Sequence, residues 1–274
     1  KGIQVLANVK NTIAVASGKG GVGKSTTSVN LALALQAEGA NVGILDADIY
    51  GPSQPRMLGL KGKPDSLDGK TVEPKEGYQV QSMSIGYLID EETPMIWRGP
   101  MVTGALEQLL NETNWKNLDY LIIDLPPGTG DIQLTLTQKL KMDGALIITT
   151  PQDIALADVK KGADMFRKVK TPVLGVIENM SGLFLDGKVE TGSNLSIEGQ
   201  PVTIKDDGSF TIRMDLFKKG GGKTESDRLG VPLLGQIPIS QDIMETTDSG
   251  SPIVDTHPDS HIGVIYNDLS LIHI

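Results

Sequence analysis

The chain has 274 residues, a net charge of −9 at pH 7, 39% hydrophobic and 22% charged residues, and no cysteine. That size and balance suit one large α/β domain or two small ones, and the absent thiols exclude disulfides, thiolate metal sites and thiol catalysis. The acidic excess argues against nucleic acid as a partner, and no apolar run is long enough for a bilayer span or placed like a signal-peptide core, so a cytoplasmic chain without membrane partners is expected.

The apolar run Ile13-Ala14-Val15-Ala16 leads into Gly18-Lys19-Gly20-Gly21-Val22-Gly23-Lys24-Ser25, and Lys24 to Glu38 reads as a helix stopped by Gly39. Strand, glycine-rich loop and helix in that order meet the G-x-x-x-x-G-K-[ST] pattern of a phosphate loop. Glycines let backbone N–H groups turn inward around phosphate oxygens, and the helix N-terminus adds its positive dipole end. Lys24 is expected to reach the β- and γ-phosphates and the Ser25 hydroxyl to ligate Mg²⁺. The general pattern does not require Lys19, which on spacing alone reads as a solvated surface lysine.

Asn41 to Leu45 is a short buried strand, followed by Asp46-Ala47-Asp48-Ile49-Tyr50-Gly51-Pro52-Ser53. Asp46 and Asp48, just beyond a strand's carboxyl end, can both face a nucleotide; the same residues also suit a turn with a helix cap. Leu58 to Gly77, rich in Gly, Pro and charge, reads as a surface excursion. Tyr78 to Leu88 reads as a strand and its exit, and Met101 to Glu112 as a helix. Trp97 and Arg98 between them are either a contact surface or packing.

Leu118 to Asp124 (LDYLIID) is the clearest central strand. An apolar strand ending in Asp is what a Walker-B element needs, a carboxylate beside the Mg²⁺ coordination sphere, and the Gly/Pro loop after it can move with γ-phosphate occupancy. A helix over 133–140, a strand over 144–149, a helix over 155–168 and a strand over 172–177 continue the alternation. The expected fold is α/β, a doubly wound, mostly parallel sheet.

From Gly182 to Met214 the character changes: Asp186-Gly187, Glu198-Gly199 and Asp207-Gly208 punctuate β-favouring runs, which predicts a small antiparallel β insertion within a single domain spanning 1–274. A short helix over 224–229, a strand over 233–237, an exit loop over 238–242 and a surface helix in the tail from His257 complete the chain. His257 and His261 sit four apart with no third ligand nearby and read as surface residues.

SGKGGVGKST, DADIYGPS and LIIDLPPGTGD in one chain resemble the deviant-Walker-A ATPases, and more narrowly the Mrp/ApbC (NBP-type) family of iron–sulfur cluster carriers. MIWRGPM, TTPQDIALADVKKG, IENMSG and the stretch Gly220 to Pro232 add to the likeness, which spans nearly all of the chain apart from the insertion. The resemblance implies a P-loop fold, slow Mg²⁺-dependent ATP hydrolysis and a homodimer closed across ATP, with apo iron–sulfur proteins or assembly factors as partners. It implies nucleotide contacts from Gly18 through Thr26, with Thr26 at the α-phosphate, Asn179 at the adenine edge and Pro238 covering the base. Lys19 would be the signature lysine reaching the partner subunit's phosphates, and Asp48 the carboxylate that orients the attacking water. Lys19, Lys24 and Asp48 would carry catalysis, and Ser25, Asp46 and Asp124 the metal. The family's Cys-x-x-Cys pair, expected shortly after Asn179-Met180-Ser181, is missing. Thiolates are the normal cluster ligands, which leaves two other uses open: a recruitment switch of the partition or division-site type, and a scaffold whose insertion docks a client protein.

Overall fold

The computed structural model describes residues 6–88, 99–216 and 220–271. In chain order the first half runs β1 (Val9–Ser17), α1 (Lys24–Ala37), β2 (Val42–Asp46), α2 (Gln54–Met57), β3 (Lys75–Gly77), β4 (Val80–Ser84), α3 (Gly99–Glu112), β5 (Leu118–Asp124) and α4 (Asp131–Lys139). The second half runs β6 (Gly144–Thr149), α5 (Asp153–Lys168), β7 (Val173–Lys188), β8 (Ser196–Ile197), β9 (Gln200–Pro201), β10 (Ser209–Met214), α6 (Gly221–Leu229), β11 (Leu233–Ile239), α7 (Gln241–Ser249), α8 (Ile253–Thr256) and α9 (His261–Leu271).

The main sheet follows the order β10-β7-β6-β1-β5-β2-β4-β3, with β11 also paired to β7. The pairs among β6, β1, β5, β2 and β4 are parallel, as crossovers through helices require. Successive strand residues point to opposite faces: Leu121 and Ile123 join one apolar cluster, with Leu106, Leu109 and Leu136, while Ile122 joins the other, with Leu31, Leu35 and Tyr266. Helices therefore cover both faces, and β5 is buried because each side meets one. Val15 pairs with Asp124 and Asp46 with Asp124, so the carboxyl ends of β1, β5 and β2 lie level with one another. In open α/β sheets ligands bind at that edge.

Four expectations from the sequence need correction. The tail helix starts only at His261 and lies on the surface by one face alone: Ile262, Tyr266 and Leu269 of α9 are buried against the apolar side of α1, whose 14 residues need cover beyond the sheet itself. The strand expected over 172–177 runs on to Lys188, and its far half pairs antiparallel with β10, Leu183 to Met214 and Lys188 to Ser209. Within the surface excursion, Lys75–Gly77 pairs antiparallel with β4. Pro238 lies inside β11 and is buried, not in an exit loop; the β11–β7 register shifts between Ile237 and Ile239, which accommodates a residue with no N–H to give. Trp97 and Arg98 lie outside the described residues. Among the described residues no helix is long and apolar enough to cross a membrane.

Candidate nucleotide site

The loop from Gly18 to Gly23 leaves β1 and turns into α1 with Gly21 at φ 78° and Gly23 at φ 81°, a region that L side chains rarely enter. Gly23 is doubly constrained, because a Cβ there would stand 2.1 Å from Asn179 Nδ2. Gly18 faces α5 just as tightly, with a Cβ position 2.1 Å from the Asp158 Cβ. A cavity of about 190 Å³ opens in front of this loop, lined by Ser17, the run from Lys19 to Thr26, Asp48, Ser53, Met57 and Pro127.

Behind the loop lies a buried polar cluster. Lys24 Nζ donates to Asp124 Oδ1, with the lysine side chain 6% exposed and the carboxylate fully buried. Ser28 Oγ donates to the same oxygen at 3.2 Å, and Lys24 Nζ also lies 3.2 Å from Ser25 Oγ. The other carboxylate oxygen, Oδ2, accepts from Gln54 Nε2 at 2.9 Å, and that nitrogen also donates to the Ser25 carbonyl at 3.0 Å. Gln54 Oε1 and Ser53 Oγ are buried without a hydrogen-bond partner.

Asp46 is fully buried and accepts from the Asp48 N–H (3.1 Å), the Ser53 N–H (2.9 Å), the Gln54 N–H (3.1 Å) and Ser84 Oγ (3.1 Å). It ties the 48–54 loop to the end of β2. Burial, with the neighbouring Asp124 charge adding to it, pushes its carboxyl up to about 7. Asp48, half-buried at the cavity, is also raised, mainly by burial. The Gly51 N–H, 3.3 Å from its Oδ1, holds it in the loop.

Lys19 extends away from the cluster, donating to Gln152 Oε1 at 3.1 Å after the end of β6. Asn179, on β7, donates to the Val22 carbonyl at 2.9 Å and so braces the loop from the side. Neither Asn179 nor Pro238 lines the cavity. The structure thus brings Lys19 to Thr26 and Asp48 together around one opening, sets Asp46 and Asp124 in the buried cluster behind it, and sets Asn179 behind the loop. Gln54 was not singled out from the sequence; its place directly after the Asp46–Ser53 loop was the available signal.

A family model described as the ParA-group NUBPL iron-transfer P-loop NTPase matches residues 8–271. The chain belongs to this family. An iron–sulfur cluster carrier protein of Pseudomonas fragi is 51% identical over 268 residues, covering 97% of this chain and 86% of the relative. The carrier protein of Escherichia coli K12 is 50% identical over 97% of this chain but 66% of its own length, so the chain spans a little under two thirds of that relative. The iron–sulfur cluster transfer protein NUBPL of Dictyostelium discoideum is 44% identical over 97% of this chain and 76% of its own. Among solved structures, the ADP complex of a nucleotide-binding protein from Archaeoglobus fulgidus superposes with a TM-score of 0.70 at 35% identity, covering 89% of this chain and 88% of that one. The Pyrococcus furiosus cell-division ATPase MinD shares the fold, with a TM-score of 0.65 at 21% identity over 96% of this chain and 98% of its own. As an iron-transfer P-loop NTPase by family, the chain departs from the thiolate pattern: no cysteine exists in its 274 residues. Among the described residues, no three His, Asp or Glu side chains cluster in a way that could hold a metal ion.

Proposed function

We propose that this protein is a Mg²⁺-dependent ATPase switch of the iron–sulfur carrier type, homodimeric in its ATP state, that serves iron–sulfur client or assembly proteins without cluster ligands of its own. The observation that carries the reading is the cluster of Lys24, Asp124, Gln54 and Ser25 behind a glycine loop with an open cavity before it. The relatives named as carriers and the ADP-bound neighbour support it.

Backbone N–H groups of residues 20–25 bind the phosphates, Lys24 neutralises the β- and γ-oxygens, and Asp48 accepts a hydrogen bond from the attacking water. Burial raises the proton affinity of Asp48, which suits it to that part. Ser25, Asp124 and Asp46 would hold Mg²⁺, an ion that is held by one or two carboxylates plus substrate phosphates and keeps several waters. When bound, the ion neutralises charge developing on the transferred phosphoryl group. Lys19, which lines the cavity, would reach a second copy's phosphates. Asn179 would serve the base from β7.

Cargo is where the chain departs. The strand that follows Asn179-Met180-Ser181 continues into a β arm without thiols, so the residues present do not fit a cluster as direct ligands. Anaerobic reconstitution with iron and sulfide, with and without ATP, tests the reading: Mg²⁺-dependent phosphate release with no iron retained by the chain alone is expected. A stoichiometric, coloured cluster on the isolated chain, or no ATP turnover, would overturn it.

A further inference from the structure

Gln54 joins three segments of the nucleotide site. Its Nε2 donates to Asp124 Oδ2 at the end of β5 and to the Ser25 carbonyl at the start of α1, while its own N–H is held by Asp46 at the end of β2. The side chain is fully buried. Both acceptors are oxygens, so the amide can lie only with nitrogen toward them; reversing it would press Oε1 against a carboxylate and a carbonyl. The orientation leaves Oε1 as a buried acceptor without a donor. A buried carbonyl left unpaired is costly, and native proteins rarely tolerate one unless something else fills it.

Among the described residues, nothing supplies the missing donor. The side chain that carries Oε1 touches Asp124 and Ser25, two of the three residues assigned to the ion, and the Ser53 hydroxyl next to it in sequence is also buried and unpartnered. Mg²⁺ sheds its waters reluctantly, and its inner-shell waters are strong hydrogen-bond donors. Partners one layer out from a metal orient its ligands and tune its affinity.

Resting on the nucleotide-site reading above, we infer that Gln54 is a positioning residue for the nucleotide-bound metal: its Oε1 accepts from a water in the ion's inner shell while its Nε2 holds Asp124 and Ser25 in place. Through its backbone the same residue anchors the loop that carries Asp48, so ion arrival is registered by that loop.

The test uses Mn²⁺ as the probe, titrated into the ADP-loaded protein and followed by electron paramagnetic resonance, with ADP affinity in chelator and melting temperature measured alongside. Gln54→Leu is expected to weaken Mn²⁺ by about 10- to 100-fold, the usual effect of losing an outer-shell partner, while metal-free ADP affinity stays within twofold. Gln54→Met, close in shape but without the amide, removes the same acceptor and donor and is expected to weaken Mn²⁺ by the same range. Unchanged Mn²⁺ affinity in Gln54→Leu, or an equal loss of metal-free ADP binding, would overturn the inference, the second because it marks a purely structural role. Should Gln54→Leu not fold, an unchanged Mn²⁺ affinity in Gln54→Met would overturn it alone. Wild-type protein that takes up no Mn²⁺ with ADP would overturn the nucleotide-site reading itself, and this inference with it.

Discussion

The ammonium of Lys24 is bonded to the carboxylate of Asp124, and both are buried. Neither charge would be tolerated there alone. On the proposed reading, Lys24 turns donors toward phosphate while a divalent cation takes its place beside that carboxylate. Binding would then exchange cations at one oxygen.

Lys24→Ala should abolish ATP hydrolysis and also destabilise the fold by about 3–5 kcal/mol, because it leaves a buried charge unpaired. Adding Asp124→Asn should restore much of the lost melting temperature but none of the activity. A double variant that melts no higher than the single one would refute the pairing.

Among the described residues, the Lys19 ammonium bonds only to Gln152 Oε1. Lys19→Ala should leave ADP affinity and melting temperature unchanged, yet keep the protein monomeric with ATP by light scattering. Hydrolysis should fall on the order of 10³-fold, as for a charge delivered in trans. An ATP-dependent dimer of the variant would count against that role.

Gly23→Ala meets two separate obstacles. Its φ of 81° costs a side chain about 1–2 kcal/mol, and its Cβ would strike Asn179 Nδ2. Adding Asn179→Ala removes only the second, so calorimetry should find ADP binding partly recovered in the double variant and still weaker than in Asn179→Ala. Full recovery would show that the backbone angle is not limiting.

Asp46 sets a pH signature. Its folded carboxyl lies near 7, above the ordinary value of 3.8, so ionising it costs the folded state more than the unfolded one. The penalty begins above pH 4 and is complete past pH 7. Without nucleotide or metal, the melting temperature of Asp46→Asn relative to wild type should climb from pH 4 to 7 and then level off. A difference independent of pH would rule out the elevated carboxyl.

The sequence displays its central strands because they are buried on both faces and read as continuous apolar runs, as in LDYLIID. The phosphate loop was legible because only glycines satisfy its backbone angles. Less visible was everything decided by cross-chain packing. No local pattern says that α9 covers α1, that Pro238 sits at an irregularity within β11, or that Gln54 turns inward at the start of a four-residue helix. The β arm was half legible: its turn dipeptides marked the irregular stretch, but its seamless growth out of β7 depends on pairing with β10 some 25 residues away.

Leu183 pairs with Met214 across the base of that arm, and Leu183 also pairs with Ile239 of β11. The chain thus leaves the sheet and returns to it at adjacent points, with Asn179 braced on the phosphate loop a few residues before. In engineering terms this is a socket: residues 184–213 should accept a segment of other length or chemistry, a thiol-bearing one included, while the pairings at its base hold the register of the central sheet.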